Sequence, residues 1–433
     1  MAEFQIDGTR ARSALRTALA FVSAILIATP ALAGVAGPER CLAGADFNGD
    51  GKADLTFEGV ESTAAEGSAR IVMMDGVIGG DSGFFSTGGG AWPYTAVGDT
   101  NDDGRTDLLG TGEGAGAAGY FRIELVSNPG TGVDSTGYLE NGGGAWELFD
   151  LIGCTTISKG PPASTQDLNG DGQADLVTIG VEATAAQGFW RLQVMNASGV
   201  GSDNQGFLGN GGGAWELLDS ADFNGDGRGD LLAEGVEATA AQGFLMVNII
   251  NSDGTGADAT GYFEMGGTAW SFTKTGDLNG DGHDDILQTG NDGTSAQGYL
   301  RIQLTNSAGT GVDSSGFLGT GGGAWVLKSV EDMNDDDRDD LIWVGQAGTA
   351  AENTMRIQII GTDGISVDAT GYPWISGYTF LDVSDTDGNG RADLVLYTGS
   401  DVEIRMTESD GVSWGDTGTV TRGAGGAWEP ISP

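Results

Sequence analysis

Hydrophobic and polar positions alternate along this chain in short runs that turn residues keep interrupting. Tyr299-Leu-Arg-Ile-Gln-Leu and Tyr120-Phe-Arg-Ile-Glu-Leu alternate at period two, which sets one series of side chains on each face of a strand. Trp215-Glu-Leu-Leu-Asp-Ser-Ala and Asp230-Leu-Leu-Ala-Glu read as two further strands, with a loop rich in Asp and Gly between them. A turn of Gly, Ala and Thr, Gly235-Val-Glu-Ala-Thr-Ala-Ala-Gln-Gly, leads into the third strand. A second turn, Asn306-Ser-Ala-Gly-Thr-Gly, leads to a fourth short strand at Gly316-Phe-Leu-Gly. Helical spacing is absent beyond the N-terminal segment.

This four-strand pattern recurs. The Asp-rich loop begins at Asp46, Asp99, Asp167, Asp222, Asp277, Asp332 and Asp385, at intervals of 53, 68, 55, 55, 55 and 53 residues. The long interval holds an insertion at about 150–166. Gly-Gly-Gly-Ala-Trp ends at Trp92, Trp146, Trp215 and Trp325, a Gly-Gly-Thr-Ala-Trp variant at Trp270, and Gly-Gly-Ala-Trp at Trp428. Self-similarity at this period means a solenoid, a propeller or an array. Seven four-stranded antiparallel units predict an all-β, seven-bladed β-propeller. The ends support a closed ring. Glu39 stands where the first unit should have its tryptophan, and the surplus Trp428 segment follows the last unit. The C-terminal segment therefore supplies what the N-terminal one lacks. Tyr378 replaces the seventh tryptophan.

The loops carry the candidate chemistry. Oxygen-bearing side chains stand at loop positions 1, 3, 5 and 9. They are Asp46, Asn48, Asp50 and Asp54; Asp99, Asn101, Asp103 and Asp107; Asp167, Asn169, Asp171 and Asp175; Asp222, Asn224, Asp226 and Asp230. The series continues with Asp277, Asn279, Asp281 and Asp285; Asp332, Asn334, Asp336 and Asp340; Asp385, Asp387, Asn389 and Asp393. Oxygen-only donors in a flexible loop select a hard cation, Ca²⁺ rather than Zn²⁺. Up to seven Ca²⁺ ions, chiefly structural, are expected. Position 12 is Ala233, Thr178 or Phe57 rather than Glu, so the loop is not an EF-hand. Loop 6 departs by placing Asp337 where glycine usually sits. The four ligand positions of the loops hold 21 of the 62 Asp and Glu residues, three in each loop, which accounts for much of the net charge of −43.

The run Trp215 to Ala221 followed by Asp222-Phe-Asn-Gly-Asp-Gly-Arg-Gly-Asp230-Leu resembles an FG-GAP/VCBS repeat. That family builds the calcium-bearing seven-bladed propeller at the head of integrin α chains, and the resemblance covers roughly residues 37–430. It implies the same fold, with the loop joining the first two strands of a blade. Gly-Gly-Ala-Trp combined with the Asp-rich loop is also similar to seven-bladed fungal lectins that bind N-acetylglucosamine between blades. The basic residues of the lectin repeat after its tryptophan are absent here.

The tryptophans admit two readings. Trp92, Trp146, Trp215, Trp270, Trp325 and Trp428 either pack between blades or stack on sugar rings at blade junctions, making a multivalent binder. Asp134, Asp258, Asp313 and Asp368, in a Gly-rich connecting turn, are candidate hydroxyl partners. The mid-strand Arg70, Arg122, Arg191, Arg301, Arg356 and Arg405 are expected to make inter-blade salt bridges or hydrogen bonds to carbonyls, with a substrate carboxylate as the alternative.

Charge and composition narrow the partners. An acidic chain of pI near 4.1 argues against nucleic acid and anionic membranes. One histidine, His283, excludes mechanisms that need two, and a surface role is expected for it. Arg10, Arg12 and Arg16, an apolar run from Ala18 to Ala28 and Ala31-Leu-Ala read as a signal peptide cut after Ala33. The mature chain from residue 34 to residue 433 is then one exported domain with no membrane span, secreted or periplasmic. Cys41 and Cys154 could pair there. The preferred function is a calcium-bearing extracellular binding or adhesion module with a glycan or protein partner. The alternative is a structural envelope or assembly protein. A polysaccharide-active enzyme ranks last, because no residue set marks one blade as catalytic.

Overall fold

The computed structural model describes residues 45–60, 62–114, 116–151, 167–421 and 428–430. The signal-like segment, Cys41, Cys154 and the insertion from 152 to 166 lie outside the described residues. Among the described residues there are 28 strands in seven four-stranded antiparallel sheets, and no helix. None of these residues forms a helix long and apolar enough to cross a membrane.

Blade 4 shows the plan. Its strands are Trp215–Ala221, Asp230–Gly235, Phe244–Ile250 and Ala257–Glu264, in sequence order across the sheet. Trp215 lies opposite Gly235 and Ala221 opposite Asp230, with a bulge between Leu217 and Asp219. That bulge recurs in the first strand of the blades starting at Tyr94, Trp146, Trp270, Trp325 and Thr379. First strands of consecutive blades approach one another around the axis, so the fourth strand forms the outer edge. Blade 1 closes the ring as the sequence predicts. Its innermost strand is Trp428–Pro430, with Gly59 opposite Trp428 and Phe57 opposite Pro430. An added last strand leaves no sheet edge at the junction.

The core lies between blades rather than within one. The third strand turns one apolar face to the next blade, as at Phe121 and Ile123, which pack with Leu139 against Leu176 and Met195. Leu55, Phe57, Val72 and Met74 meet Val395, Val402 and Ile404 across the closure. Each such side chain contributes roughly 1.5–3 kcal/mol when buried. A glycine in the fourth strand permits this closeness. A Cβ on Gly206 would lie 1.7 Å from the Thr255 carbonyl oxygen, and one on Gly261 would lie 2.5 Å from the Thr310 Cα. The turn of the following blade fills that space.

One strand boundary differs from expectation. The fourth strand begins at Val312 rather than Gly316, and at Val133 in blade 2. Its first residues are exposed and polar because they form the outer edge, so they read as turn. Asp134, Asp258, Asp313 and Asp368 therefore sit within strands.

Antiparallel order sorts the connections onto two faces. The Asp-rich loops and the turns before the fourth strands share one face. The Gly-rich connections carrying tryptophan, and the turns before the third strands, share the other.

Candidate functional site

The Asp-rich loop is built around two carboxylates. In loop 1, Asp46 Oδ1 accepts the Gly49 N–H at 2.7 Å and Oδ2 accepts the Gly51 N–H at 2.7 Å. Both glycines have left-handed φ, +73° and +80°, which turns their N–H groups inward. Asn48 donates to Asp50 Oδ2 at 3.2 Å and accepts the Asp50 N–H at 2.9 Å. Positions 1, 3 and 5 thus form one cluster, as the spacing predicts. Loop 6 keeps this shape without glycine, because Asp335 and Asp337 take φ of +63° and +61°. In loop 7 an oxygen from each of Asp385, Asp387 and Asp393 comes within 4.8 Å of the others.

Position 9 has a second task that the sequence does not disclose. Asp54 is fully buried, accepting the Phe47 N–H at 2.9 Å and the Met74 N–H at 2.8 Å. It therefore ties the loop to the end of the third strand. Asp107, Asp175, Asp230, Asp285, Asp340 and Asp393 repeat this, bonding Val126, Met195, Ile250, Thr305, Ile360 and Thr407. Burial pushes Asp54, Asp175, Asp230, Asp285 and Asp340 up to about 8. It pushes Asp107 to about 7 and Asp393 to about 6. Without an opposing charge, ionised carboxylates at these places are costly. Oxygen donors of this kind fit a hard cation with several ligands.

The seven loops are also linked to one another. The position 8 N–H of each loop donates to the position 1 carbonyl of the loop before it. The pairs are Thr106 to Asp46, Ala174 to Asp99, Gly229 to Asp167, Asp284 to Asp222, Asp339 to Asp277, Ala392 to Asp332 and Ala53 to Asp385, at 2.6–2.9 Å. The last pair closes the circle. The position 7 side chain covers the position 4 glycine of the preceding loop, as Arg105 does Gly49 and Arg338 does Gly280. His283 does the same over Gly225, where an added Cβ would lie 2.6 Å from its Cδ2. Its imidazole therefore packs, part-exposed, against the neighbouring loop.

The tryptophans occupy the opposite face. Trp92, Trp146, Trp215, Trp270 and Trp325 are half-buried, each after a Gly-rich connection; the last four open a first strand and Trp92 stands two residues before one, Tyr94–Gly98. In that connection Gly142, Gly143 and Gly144 have φ of +68°, +71° and +87°, and a Cβ on the last two would touch nothing. Each indole ring reaches across to an aromatic ring on a fourth strand or, for Tyr372, one residue past its end. The pairs are Trp92–Tyr138, Trp146–Phe207, Trp215–Tyr262, Trp270–Phe317 and Trp325–Tyr372, with centroids 5.4–6.0 Å apart. Those five partners are more than half exposed. The sequence reading misses them, although a Gly followed by Tyr or Phe marks each of these fourth strands. Asp134 is four residues along the strand from Tyr138, about 13 Å away, so the Gly-rich turn does not bring its carboxylate to the ring.

Arginines underlie four of these rings. The guanidinium carbons of Arg122, Arg191, Arg301 and Arg356 lie 5.5, 4.9, 5.0 and 5.2 Å from the centroids of Trp92, Trp146, Trp270 and Trp325. Each also donates to a carbonyl at the end of the preceding blade: Ser86, Glu140, Glu264 and Gly319. Arg70 reaches Thr421 in the same way across the closure. The expected inter-blade bonds to carbonyls are therefore present. Burial lowers Arg191 and Arg356 to about 10. Arg405 is displaced from the series. It lies opposite Thr417, beyond the Ile404–Gly418 pair, whereas Arg301 lies opposite Phe317, before the Ile302–Gly316 pair. It bonds Glu403, stacks on Tyr378 and still donates to a carbonyl of the preceding blade, that of Trp374, at 3.2 Å.

The chain is a seven-bladed β-propeller. Among solved structures it resembles a lectin from Agrocybe aegerita, described in terms of specific recognition of non-reducing terminal N-acetylglucosamine. The TM-score is 0.57 at 19% identity, over 90% of this chain and 95% of that one. The Dos1 propeller covers 86% of this chain and 85% of its own at 8% identity, with a TM-score of 0.37. The first likeness is one of fold, and the second is too slight to add to it. No protein-family model matches the chain, and no curated protein does. The propeller reading thus stands, while the FG-GAP/VCBS assignment has no family match behind it.

Proposed function

We propose that this propeller is a multivalent carbohydrate-binding module that takes sugar rings against the tryptophans between its blades. The observation that carries the reading is the fivefold recurrence of a half-buried indole beside an exposed aromatic ring, next to a connection stripped of side chains. Indole faces stack on the C–H surfaces of sugars, and the bare glycine backbone leaves room for a ligand to approach. Weak sites repeated around a ring gain by avidity. The lectin fold of the Agrocybe aegerita protein supports this choice, and N-acetylglucosamine is the first sugar to try. The reading is of a binder rather than an enzyme, exported if the N-terminal segment acts as a leader. A glycan array probed with the full chain tests it, followed by calorimetry on each hit. Saturable binding to a sugar class is expected. Silence across the array, with the protein folded, would overturn the reading in favour of a structural or assembly role.

A second reading concerns the loops. We propose that they hold Ca²⁺ as a scaffold ion, through the side chains at positions 1, 3, 5 and 9. The support is the all-oxygen donor set, repeated seven times, with a buried carboxylate in each. A bound cation would neutralise the clustered carboxylates. At cation tenfold above Kd, each site would add about 1.4 kcal/mol. Melting with calcium and then with excess chelator tests it, and identical melting temperatures would remove the metal from the account.

A further inference from the structure

We infer that Arg122, Arg191, Arg301 and Arg356 are positioning residues for the tryptophan sites, and that the junction at blade 4, where Met246 replaces the arginine, is the weakest of the five. This inference rests on the sugar-binding reading, which it refines by ranking the sites.

Arg122 lies opposite Tyr138, Arg191 opposite Phe207 and Arg301 opposite Phe317, so arginine and exposed aromatic share one face of the blade. Met246 lies opposite Tyr262 in the same way. At four junctions the guanidinium therefore sits between two fixed things. One is the indole ring it stacks on, at 4.9–5.5 Å. The other is the carbonyl that ends the preceding blade, at 2.8–3.5 Å. A planar fork that stacks by its face and donates by its edge holds the ring in one orientation and ties it to the neighbouring blade.

Blade 4 has neither tie. Met246 is buried and packs with Trp190, Leu192 and Leu217, with Trp215 against the same cluster. It offers no donor to Gly209, which occupies the end of blade 3 where Glu140 and Glu264 end theirs. Methionine has three rotatable bonds and specifies its neighbours weakly. The Trp215–Tyr262 pair survives, at 5.8 Å and 40°, but is held by apolar contact alone. A ring that must be ordered on binding gives up affinity that a pre-ordered ring keeps.

The test uses the full chain labelled with 5-fluorotryptophan, and the variants M246R, R301M and R301K. Fluorine NMR without any sugar reads ring order directly. Trp215 is expected to show motional averaging or more than one line where Trp270 shows one. R301M should give Trp270 the Trp215 behaviour, M246R should give Trp215 a single line, and R301K should not restore Trp270, because an ammonium lacks the planar fork. Calorimetry with the best sugar from the array then reads affinity by site. Among the five described junctions, four strong sites and one about tenfold weaker are expected, the size of a lost cation–π contact. M246R should bring the strong sites to five and R301M to three. Equal fluorine behaviour of Trp215 and Trp270 in the parent chain, unchanged by R301M, would overturn the inference whether or not a sugar binds. Five equal sites would overturn the ranking. Absence of sugar binding with the fluorine differences intact would overturn the carbohydrate reading and leave the arginines as ring-positioning residues.

Discussion

The two faces of the propeller repeat with one period but tolerate variation to different degrees. On the loop face, all seven position 9 aspartates make the same two backbone bonds, and all seven loops are linked in a closed circle. Even loop 6, with aspartates in left-handed conformations, keeps the pattern. On the tryptophan face, five described junctions have the aromatic pair and four of those have the arginine. Blade 7 has Tyr378 with a displaced Arg405 instead. The difference has a mechanical cause. A ring of linked loops is broken by one missing link, so each loop is constrained by its neighbours. A junction between blades acts alone, and losing one leaves the others intact.

That contrast can be broken in four ways. Chelation of divalent cation is expected to act on the loop face as a unit, lowering the melting temperature on the order of 10 °C in one transition. A scan resolving seven small steps would show that the loops act independently. Next in size is Asp230→Ala. It strands the Phe223 and Ile250 N–H groups, a loss of about 2–5 kcal/mol in denaturant unfolding. Asp230→Asn keeps one of the two acceptor oxygens and sets its amide nitrogen against the other N–H, so a loss smaller than that of alanine is expected, and no loss at all would show that the second bond and the charge both contribute nothing.

Third, Gly261→Val forces a side chain into the Thr310 backbone and is expected to cost about 1–3 kcal/mol. The same change at the exposed Gly212, where a Cβ would touch nothing, meets only the strain of its φ of +72°. Trp270→Ala should remove one of the sugar sites at the five described junctions and about 1–2 kcal/mol, since the ring is only half-buried. A loss of every site on that single change, read by calorimetry, would mean the junctions are coupled after all.

Much of this architecture is legible in the amino-acid pattern. The first three strands of a blade are readable because apolar residues recur through each between turn residues, as in Trp215–Ala221, Asp230–Gly235 and Tyr299–Thr305. Ring closure is readable because Trp428 repeats a motif the first unit lacks. The start of the fourth strand is not. Val312-Asp-Ser-Ser faces solvent on an outer edge, so burial leaves no periodic mark there. The exposed aromatics escape notice for a related reason. Phe207 or Tyr262 resembles an ordinary strand residue until its neighbour across the blade is known.

Repetition in the sequence by itself determined the propeller, its seven units and the clustering of three oxygen donors per loop. Those properties are local, set by residues within nine positions of one another or by copies at a constant spacing. Only the tertiary structure decided which residues meet between copies. Asp54 bonding Met74, Thr106 bonding Asp46, His283 lying on Gly225 and Arg301 reaching Glu264 all join residues that no local pattern relates. The physical reason is that a blade is specified by its own alternation, whereas a junction exists only once two blades have been set side by side.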